Sequence, residues 1–217
     1  MSGGRQSAGK DDPRVDMGGG TYVRGDVQAG GDFVGRDKIT HIHVASLSEL
    51  DELDSRTKQR LRSLYEERVR SASAHAGDYL ALGLFYLDRR QYALAQKALA
   101  QASELDPFYG DAGYYLALAK IVGREARTLR APEVNAVEDY LSLATSVGVP
   151  KGHQYALWAI VKYEYYLVNG LTPLPPPIDE LVDLAIDAGL DDREMHYMLV
   201  HAPVSDNPIL AALGYSA

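Results

Sequence analysis

Residues 76–107 carry small, apolar and aromatic side chains at intervals that suit two antiparallel helices joined by a short turn. Small residues such as Gly83 and Ala95 allow two helices to approach closely, and Tyr86 is large enough to fill the space between them. Pro107 ends the second helix because proline cannot continue it. The positions that make up the pattern are Tyr79, Leu82, Gly83, Tyr86, Ala95, Leu99, Ala102 and Pro107. The spacing predicts a helical hairpin over this segment.

These positions are those of the tetratricopeptide motif, which is about 34 residues long. The segment resembles a tetratricopeptide repeat. A second unit is expected near Gly110, with helices over 111–122 and 133–147. It departs from the motif, because Ala117 stands in place of the glycine and Lys120 in place of the tyrosine.

A third unit is predicted from small and apolar residues that fall in the corresponding positions, followed by a proline-rich linker and a helix over 178–188. These residues are Ala156, Ala159, Ile160 and Tyr163. A stack of such units needs about three repeats with atypical ends. A helix over 49–72, starting at a Ser46–Glu49 capping box, and the C-terminal helices are expected to form those ends. The predicted fold class is therefore all-α, a helical-hairpin solenoid over 46–217.

The resemblance implies a concave face, formed by the first helix of each unit, that binds a peptide or helix of another protein. Carrying the family's groove positions onto this chain gives Leu80, Leu84, Leu87, Tyr114, Leu118, Ile121, Leu157, Val161 and Tyr165. Because Leu80 and Leu84 stand where carboxylate-gripping members have Lys and Asn, an apolar segment or amphipathic helix is the expected guest. The alternative is that the same side chains pack under the chain's own capping helix.

The N-terminal region has a different composition, with ten of the 20 glycines in residues 1–46. Residues 1–18 are predicted to be a disordered tail, because they are low in apolar side chains. Residues 19–45 contain a degenerate repeat with a shift of 11 and are predicted to form a β-hairpin or β-arch. Such a segment is too short to bury a core, so it is expected to pair with a copy of itself or to dock on a partner. Its apolar residues are Tyr22, Val23, Val27, Phe33, Val34 and Ile39. The segment also resembles short leaders on bacterial signalling and conflict proteins.

Composition excludes several classes of protein. The 217 residues are 46% hydrophobic with a net charge of −8, and they include no cysteine. An acidic chain argues against nucleic-acid binding, which needs a concentrated basic surface. Without cysteine there is no disulfide framework. No apolar run is long enough for a membrane span, and the N-terminus has no secretory signal. A cytoplasmic protein is expected.

The sequence evidence for catalytic or metal-binding residues is weak. Gly4–Lys10 fits a phosphate-binding loop, but Asp11 replaces the required Ser or Thr and no strand precedes it. His41 and His43 lie two residues apart without a third ligand. The sequence therefore predicts no catalytic residue, no metal site and no cofactor.

Two further segments each have two interpretations. Arg124, Arg127 and Arg130 form either a basic handle for an acidic partner, such as the −9 stretch over 131–217, or an ordinary exposed loop. Pro173–Pro177 contains a P-x-x-P pattern and is either a ligand for an aromatic groove or a stiff spacer between helices.

The sequence predicts a non-enzymatic adaptor. The helical array is expected to capture a partner while residues 19–45 mediate self-association or docking. The alternative is a regulatory or sensor subunit for a bacterial signalling or defence effector that is encoded separately.

Overall fold

A computed structural model describes residues 44–215 of the chain, and within that range every regular element is helical. The predicted tail over 1–18, the six apolar residues of the β segment and both members of the His41/His43 pair lie outside the described residues. The described α-helices are α1 (Leu47–Asp51), α2 (Ser55–Arg68), α3 (Ala76–Asp88), α4 (Tyr92–Leu105), α5 (Gly110–Ile121), α6 (Ala131–Ser146), α7 (Gly152–Lys162), α8 (Ile178–Asp187), α9 (Asp192–His201) and α10 (Pro208–Ala212).

Two short helical turns complete the set of described elements. A 3₁₀ turn occupies Ala126–Thr128, and a π-helical turn over Tyr163–Leu167 directly continues α7. Among residues 44–215, no helix combines the length and the apolar content that crossing a lipid bilayer requires.

The first helix begins where the capping box predicts, but it is much shorter than expected. Ser46 Oγ accepts a hydrogen bond from the Glu49 amide at 3.1 Å. The predicted single helix over 49–72 is wrong, because α1 ends at Asp51 and α2 begins at Ser55. Asp54 caps α2, since its Oδ1 accepts from the amides of Arg56 and Thr57 at 2.9 and 3.0 Å. An acidic side chain that satisfies two free amides favours a new helix start over continuation of the old one.

The central helices pack in the order of the sequence. Helix α3 pairs with α4, α5 with α6 and α7 with α8, while α4 packs on α5 and α6 on α7. The hairpin predicted over 76–107 is present as α3 and α4. Its two helices are so close that a Cβ added to Gly83 would lie 2.5 Å from Leu99 Cγ. The boundaries predicted for α5, α6 and α8 agree with the structure within two residues.

Helices α1, α9 and α10 do not extend this row. Helix α1 packs on α3, and α9 packs on α1, α5 and α7, while α10 contacts α7. Of the elements that we expected to close the ends of a stack, α2 packs on α3, its neighbour in sequence, whereas α1, α9 and α10 lie on the first helices of the successive hairpins.

Candidate functional site

The residues predicted to line a groove lie on one set of helices, but they are not open to solvent. Eight of the nine are 0% exposed, and they lie on α3, α5 and α7. Tyr165 differs, because it falls in the π-helical turn, is half-buried and packs edge-to-face on Tyr166 with ring centroids 5.0 Å apart. Within residues 44–215 these eight positions therefore line no open groove, and their side chains form part of the core.

Helices α1, α9 and α10 supply the cover over this face. Of the two interpretations of the groove residues, packing under the chain's own terminal helices is the one that agrees with their burial. We call the surface formed by α3, α5 and α7 beneath α1 and α9 the covered face.

Glu194 on α9 is the main polar side chain at the covered face, and it is 6% exposed. Its Oε1 accepts hydrogen bonds from Ser48 Oγ at 2.6 Å and from the Ser48 amide at 3.3 Å. The hydroxyl of Tyr115 donates to Oε2 at 3.3 Å. Asp191 sets this geometry, because its side chain caps α9 by accepting from the amides of Arg193 and Glu194. One carboxylate thus ties α9 to both α1 and α5.

The Tyr114 side chain lies beside this carboxylate and is itself fully buried. Its ring centroid is 4.9 Å from that of Tyr115 and 4.7 Å from that of His153. Within the described residues its hydroxyl has no hydrogen-bond partner. Burial, followed by the charge of Glu194, holds the pKa of both tyrosines well above the usual range. Both phenols therefore stay protonated: that of Tyr115 donates to Glu194, and that of Tyr114 is a donor without an acceptor within the described residues.

His153 completes the polar surroundings. Burial lowers the pKa of its imidazole, and the nearby Glu194 charge opposes that effect. The neutral ring is therefore favoured in the folded chain. The groups around Glu194 hold its carboxylate by hydrogen bonds from Ser48 and from one phenol, that of Tyr115.

A second buried cluster centres on Lys162, whose side chain is 1% exposed. Its Nζ lies 2.7 Å from Glu138 Oε1 and donates to the Leu174 carbonyl oxygen at 2.7 Å. The Glu138 carboxylate also accepts from Trp158 Nε1 at 3.0 Å and from the Tyr166 hydroxyl at 2.7 Å. Burial, and then the bond to Glu138, raises the pKa of Tyr166.

The Lys162 cluster holds the proline-rich linker against α6 and α7. A cavity of about 440 Å³ lies beside it, lined by Asn135, Glu138, Asp139, Ser142, Trp158 and Leu174–Pro176. Because Leu174 is bonded to a buried lysine, these contacts favour the spacer interpretation of Pro173–Pro177.

The three arginines of the insertion are paired locally. Arg124 and Arg130 contact the Glu133 carboxylate at 3.1 and 3.2 Å, and Arg127 contacts Glu125 at 2.6 Å. Those bonds, with Arg130 contributing most, lower the pKa of Glu133 to about 2. All three arginines therefore reach the acidic stretch over 131–217, because Glu133 lies in it and the Arg127 Nε is also 4.0 Å from Glu164 Oε2. The segment is therefore a partly exposed loop whose arginines pair both with Glu125 of the loop and with Glu133 and Glu164 of the acidic stretch.

His201, on the last turn of α9, gives the first testable prediction. Burial, and then the charge of Arg90, lowers the pKa of this imidazole to about 4. Its Nδ1 lies 3.2 Å from the Tyr92 hydroxyl. The unfolded chain protonates His201 near pH 6.5, whereas the folded chain resists protonation until about pH 4. The free energy of unfolding is therefore expected to fall as the pH falls, with His201 contributing about 2 kcal/mol of loss between pH 7 and pH 5.

Urea unfolding at pH 7, 6 and 5 measures this loss, and the variants His201→Gln and His196→Gln isolate its source. His196 lies on the exposed side of the same helix, so its variant is expected to keep the wild-type pH dependence. In His201→Gln the loss of unfolding free energy between pH 7 and pH 5 is expected to be smaller by about 2 kcal/mol. Burial raises the pKa of Glu164, so this carboxyl makes the free energy of unfolding rise as the pH falls. Its contribution is the same in all three chains and does not affect their comparison. Parallel curves for His201→Gln and the wild type would contradict the assignment.

Among the described residues, no group of three or more His, Asp or Glu side chains is arranged to hold a metal ion. The sequence did not single out Glu194, Tyr115 or Lys162 as site residues. Lys162 did carry a signal, because it is the only charged residue between Tyr155 and Tyr163. Glu194 gave little indication of burial in the sequence, since an acidic residue in the first turn of a helix is ordinarily a surface group.

Comparison with known proteins adds no identification: no family model matches the chain, and no curated protein and no solved structure resembles it significantly.

Proposed function

We propose that the chain is a non-catalytic adaptor of the tetratricopeptide type, which binds a helix or peptide of another protein on the covered face. In this proposal residues 19–45 mediate self-association or docking, so that capture of the partner is coupled to assembly. Avidity is the physical gain, since linked copies rebind a multivalent partner at high effective concentration.

The observation that carries the proposal is the sequential packing of three helical hairpins, α3–α4, α5–α6 and α7–α8, each against the next. Packing of each hairpin against the next one in sequence is what a repeat stack requires. The close approach of Gly83 to Leu99 supports the same interpretation, because the motif places a small residue at that point. The first helices of the three hairpins share one surface, and apolar side chains dominate it.

The assembly part of the proposal is tested on the full chain by light scattering. The wild type is expected to have a mass that is a multiple of 23.7 kDa. The double variant Phe33→Asp/Val34→Asp is expected to be a monomer, because two charges at apolar positions oppose strand pairing. The matched control Gln28→Asp/Ala29→Asp adds the same charge between the two copies of the repeat and is expected to assemble like the wild type.

The adaptor part is tested by using the same three chains as bait in an extract of the native cell and identifying the captured proteins. All three are expected to capture the same partner, and the monomeric variant is expected to retain less of it during washing. A wild-type chain that is monomeric at every concentration contradicts the assembly claim. Failure to enrich any protein over an unrelated bait contradicts the adaptor claim.

A further inference from the structure

Helix α9 has the form of a guest helix rather than that of a repeat helix. Its buried side chains are Glu194, Met195, Met198 and His201, which fall at positions i, i+1, i+4 and i+7 and therefore share one face. Asp192, Arg193 and His196, on the other side, are exposed. A helix that binds in the groove of another protein likewise buries one face, and here that face is two methionines flanked by Glu194 and His201.

Apart from the hydrogen bonds of Glu194, the attachments of α9 to the covered face are individually weak. Methionine supplies its central apolar contacts, and this flexible side chain adapts to many surfaces. The ion pair between Arg193 and Glu52 joins side chains that are 65% and 64% exposed, and such surface pairs contribute little. Tyr197 adds a hydrogen bond to Asp51. Gly189 and Asp206, which precede and follow the helix, have positive φ angles of +80° and +52°.

The fit of α9 to the covered face is also incomplete. The Glu194 carboxylate takes the donors of Ser48 and Tyr115, but the hydroxyl of Tyr114 is buried with no partner within the described residues. A buried donor without an acceptor is destabilising, so an occupant that offers an acceptor there would bind better than α9 does. The structure thus holds a donor that its own helix leaves unused.

We propose that α9 is an internal occupant of the covered face and that the external partner is an amphipathic helix that displaces it. That helix carries an acidic side chain in the place of Glu194 and Met or Leu one and four residues later. It also carries a second hydrogen-bond acceptor that reaches the Tyr114 hydroxyl. This inference rests on the proposed adaptor function and specifies the partner and its regulation, because the free chain keeps its binding surface closed.

A fluorescein-labelled peptide of residues 189–204 serves as the probe, and its binding is measured by fluorescence anisotropy. The wild-type chain is expected to bind it weakly, because the internal copy competes. A Glu194→Ala chain is expected to bind it at least about tenfold more tightly, since its own α9 is weakened. Changing the same glutamate in the peptide should abolish binding, whereas the His196→Ala peptide should bind like the parent.

Locking the internal helix provides a second measurement that does not depend on weakening the fold. The chain has no cysteine, so Glu52→Cys/Arg193→Cys can be bridged specifically by a bismaleimide. The bridged chain is expected to lose peptide binding, and the unbridged double variant to keep it. Equal peptide binding before and after bridging, or no gain for Glu194→Ala, overturns the proposal.

The Tyr114 hydroxyl is tested with peptides of the same segment that carry single Asn substitutions. The best of them is expected to bind the wild-type chain at least about tenfold more tightly than the parent peptide. That advantage should disappear in a Tyr114→Phe chain. If it persists there, the partner has no acceptor that binds the Tyr114 hydroxyl. If the bridged chain still captures the partner identified with the wild-type bait, the adaptor function stands and α9 is not its gate.

Discussion

Replacing Lys162 with methionine is expected to lower the free energy of unfolding by about 3–5 kcal/mol. The substitution keeps an unbranched side chain of similar length but leaves the Glu138 carboxylate, whose side chain is 13% exposed, without its cation. It also leaves the Leu174 carbonyl oxygen without the Nζ that donates to it. Removing one partner of a buried pair costs more than the pair contributes, because the remaining charge stays desolvated. Urea unfolding can be followed through the fluorescence of Trp158, the single tryptophan in the chain.

Two companion variants separate a buried charge from a lost side chain. The double variant Lys162→Met/Glu138→Gln removes both charges, keeps one oxygen that can accept from Trp158, and places an amide NH₂ that can donate to the Tyr166 hydroxyl. It is expected to be at least about 1 kcal/mol more stable than Lys162→Met alone. Lys151→Met removes the partly exposed pair with Asp111 and is expected to cost less than about 1 kcal/mol. Equal losses at Lys162 and Lys151 would contradict the buried ion pair.

The helices that the sequence predicted well are those whose signals are local. Periodic apolar residues and breaking residues such as Pro107 determine where α3 to α6 and α8 begin and end, so their bounds could be obtained without tertiary contacts. The division of α1 from α2 was missed, although its cause is also local. Asp54 competes as a helix cap, and a capping residue inside a periodic segment is easily taken for a surface acid.

The covering of the groove residues could not be obtained from local patterns. Spacing shows which face of α3, α5 and α7 is apolar, but not whether that face meets a partner or a later part of the same chain. Helix α9 has only Met195 and Met198 as fully buried apolar side chains. The contact of Glu194 with Ser48 joins residues 146 positions apart. Such a pairing depends on the path of the whole chain and has no signature in either segment.

Gly152 illustrates the same limit and leads to the second large effect. A glycine after Pro150 and Lys151 suggests an ordinary turn residue, yet Gly152 is the first residue of α7 and is buried. A Cβ at this position would lie 2.1 Å from the Gly189 carbonyl oxygen and 2.5 Å from that of Ala185. Both atoms belong to the backbone at the end of α8, so they cannot move aside as the tip of a side chain can. Glycine is required at position 152 because any side chain would clash with the backbone at the end of α8.

Gly152→Ala is therefore expected to destabilise the chain by about 3 kcal/mol, although alanine ordinarily favours a helix over glycine. The α7–α8 pair must separate to admit the methyl group, and the midpoint of thermal unfolding should fall by about 6–12 °C. Thermal and urea unfolding measure both quantities. Gly148→Asn is the matched control, because Gly148 has a φ of +67° that asparagine tolerates and no atom within 4 Å of an added Cβ.

The free energy of unfolding of the Gly148→Asn control is expected to fall by less than about 1 kcal/mol, because only the backbone preference at this position changes. The contrast between the two variants separates the two roles of glycine within one short segment, conformational freedom at Gly148 and close contact at Gly152. If Gly152→Ala proved as stable as the wild type, α7 and α8 would have to lie farther apart than the structure places them. The third hairpin would then lack the close contact that holds α7 against α8, and with it part of the support for a repeat stack.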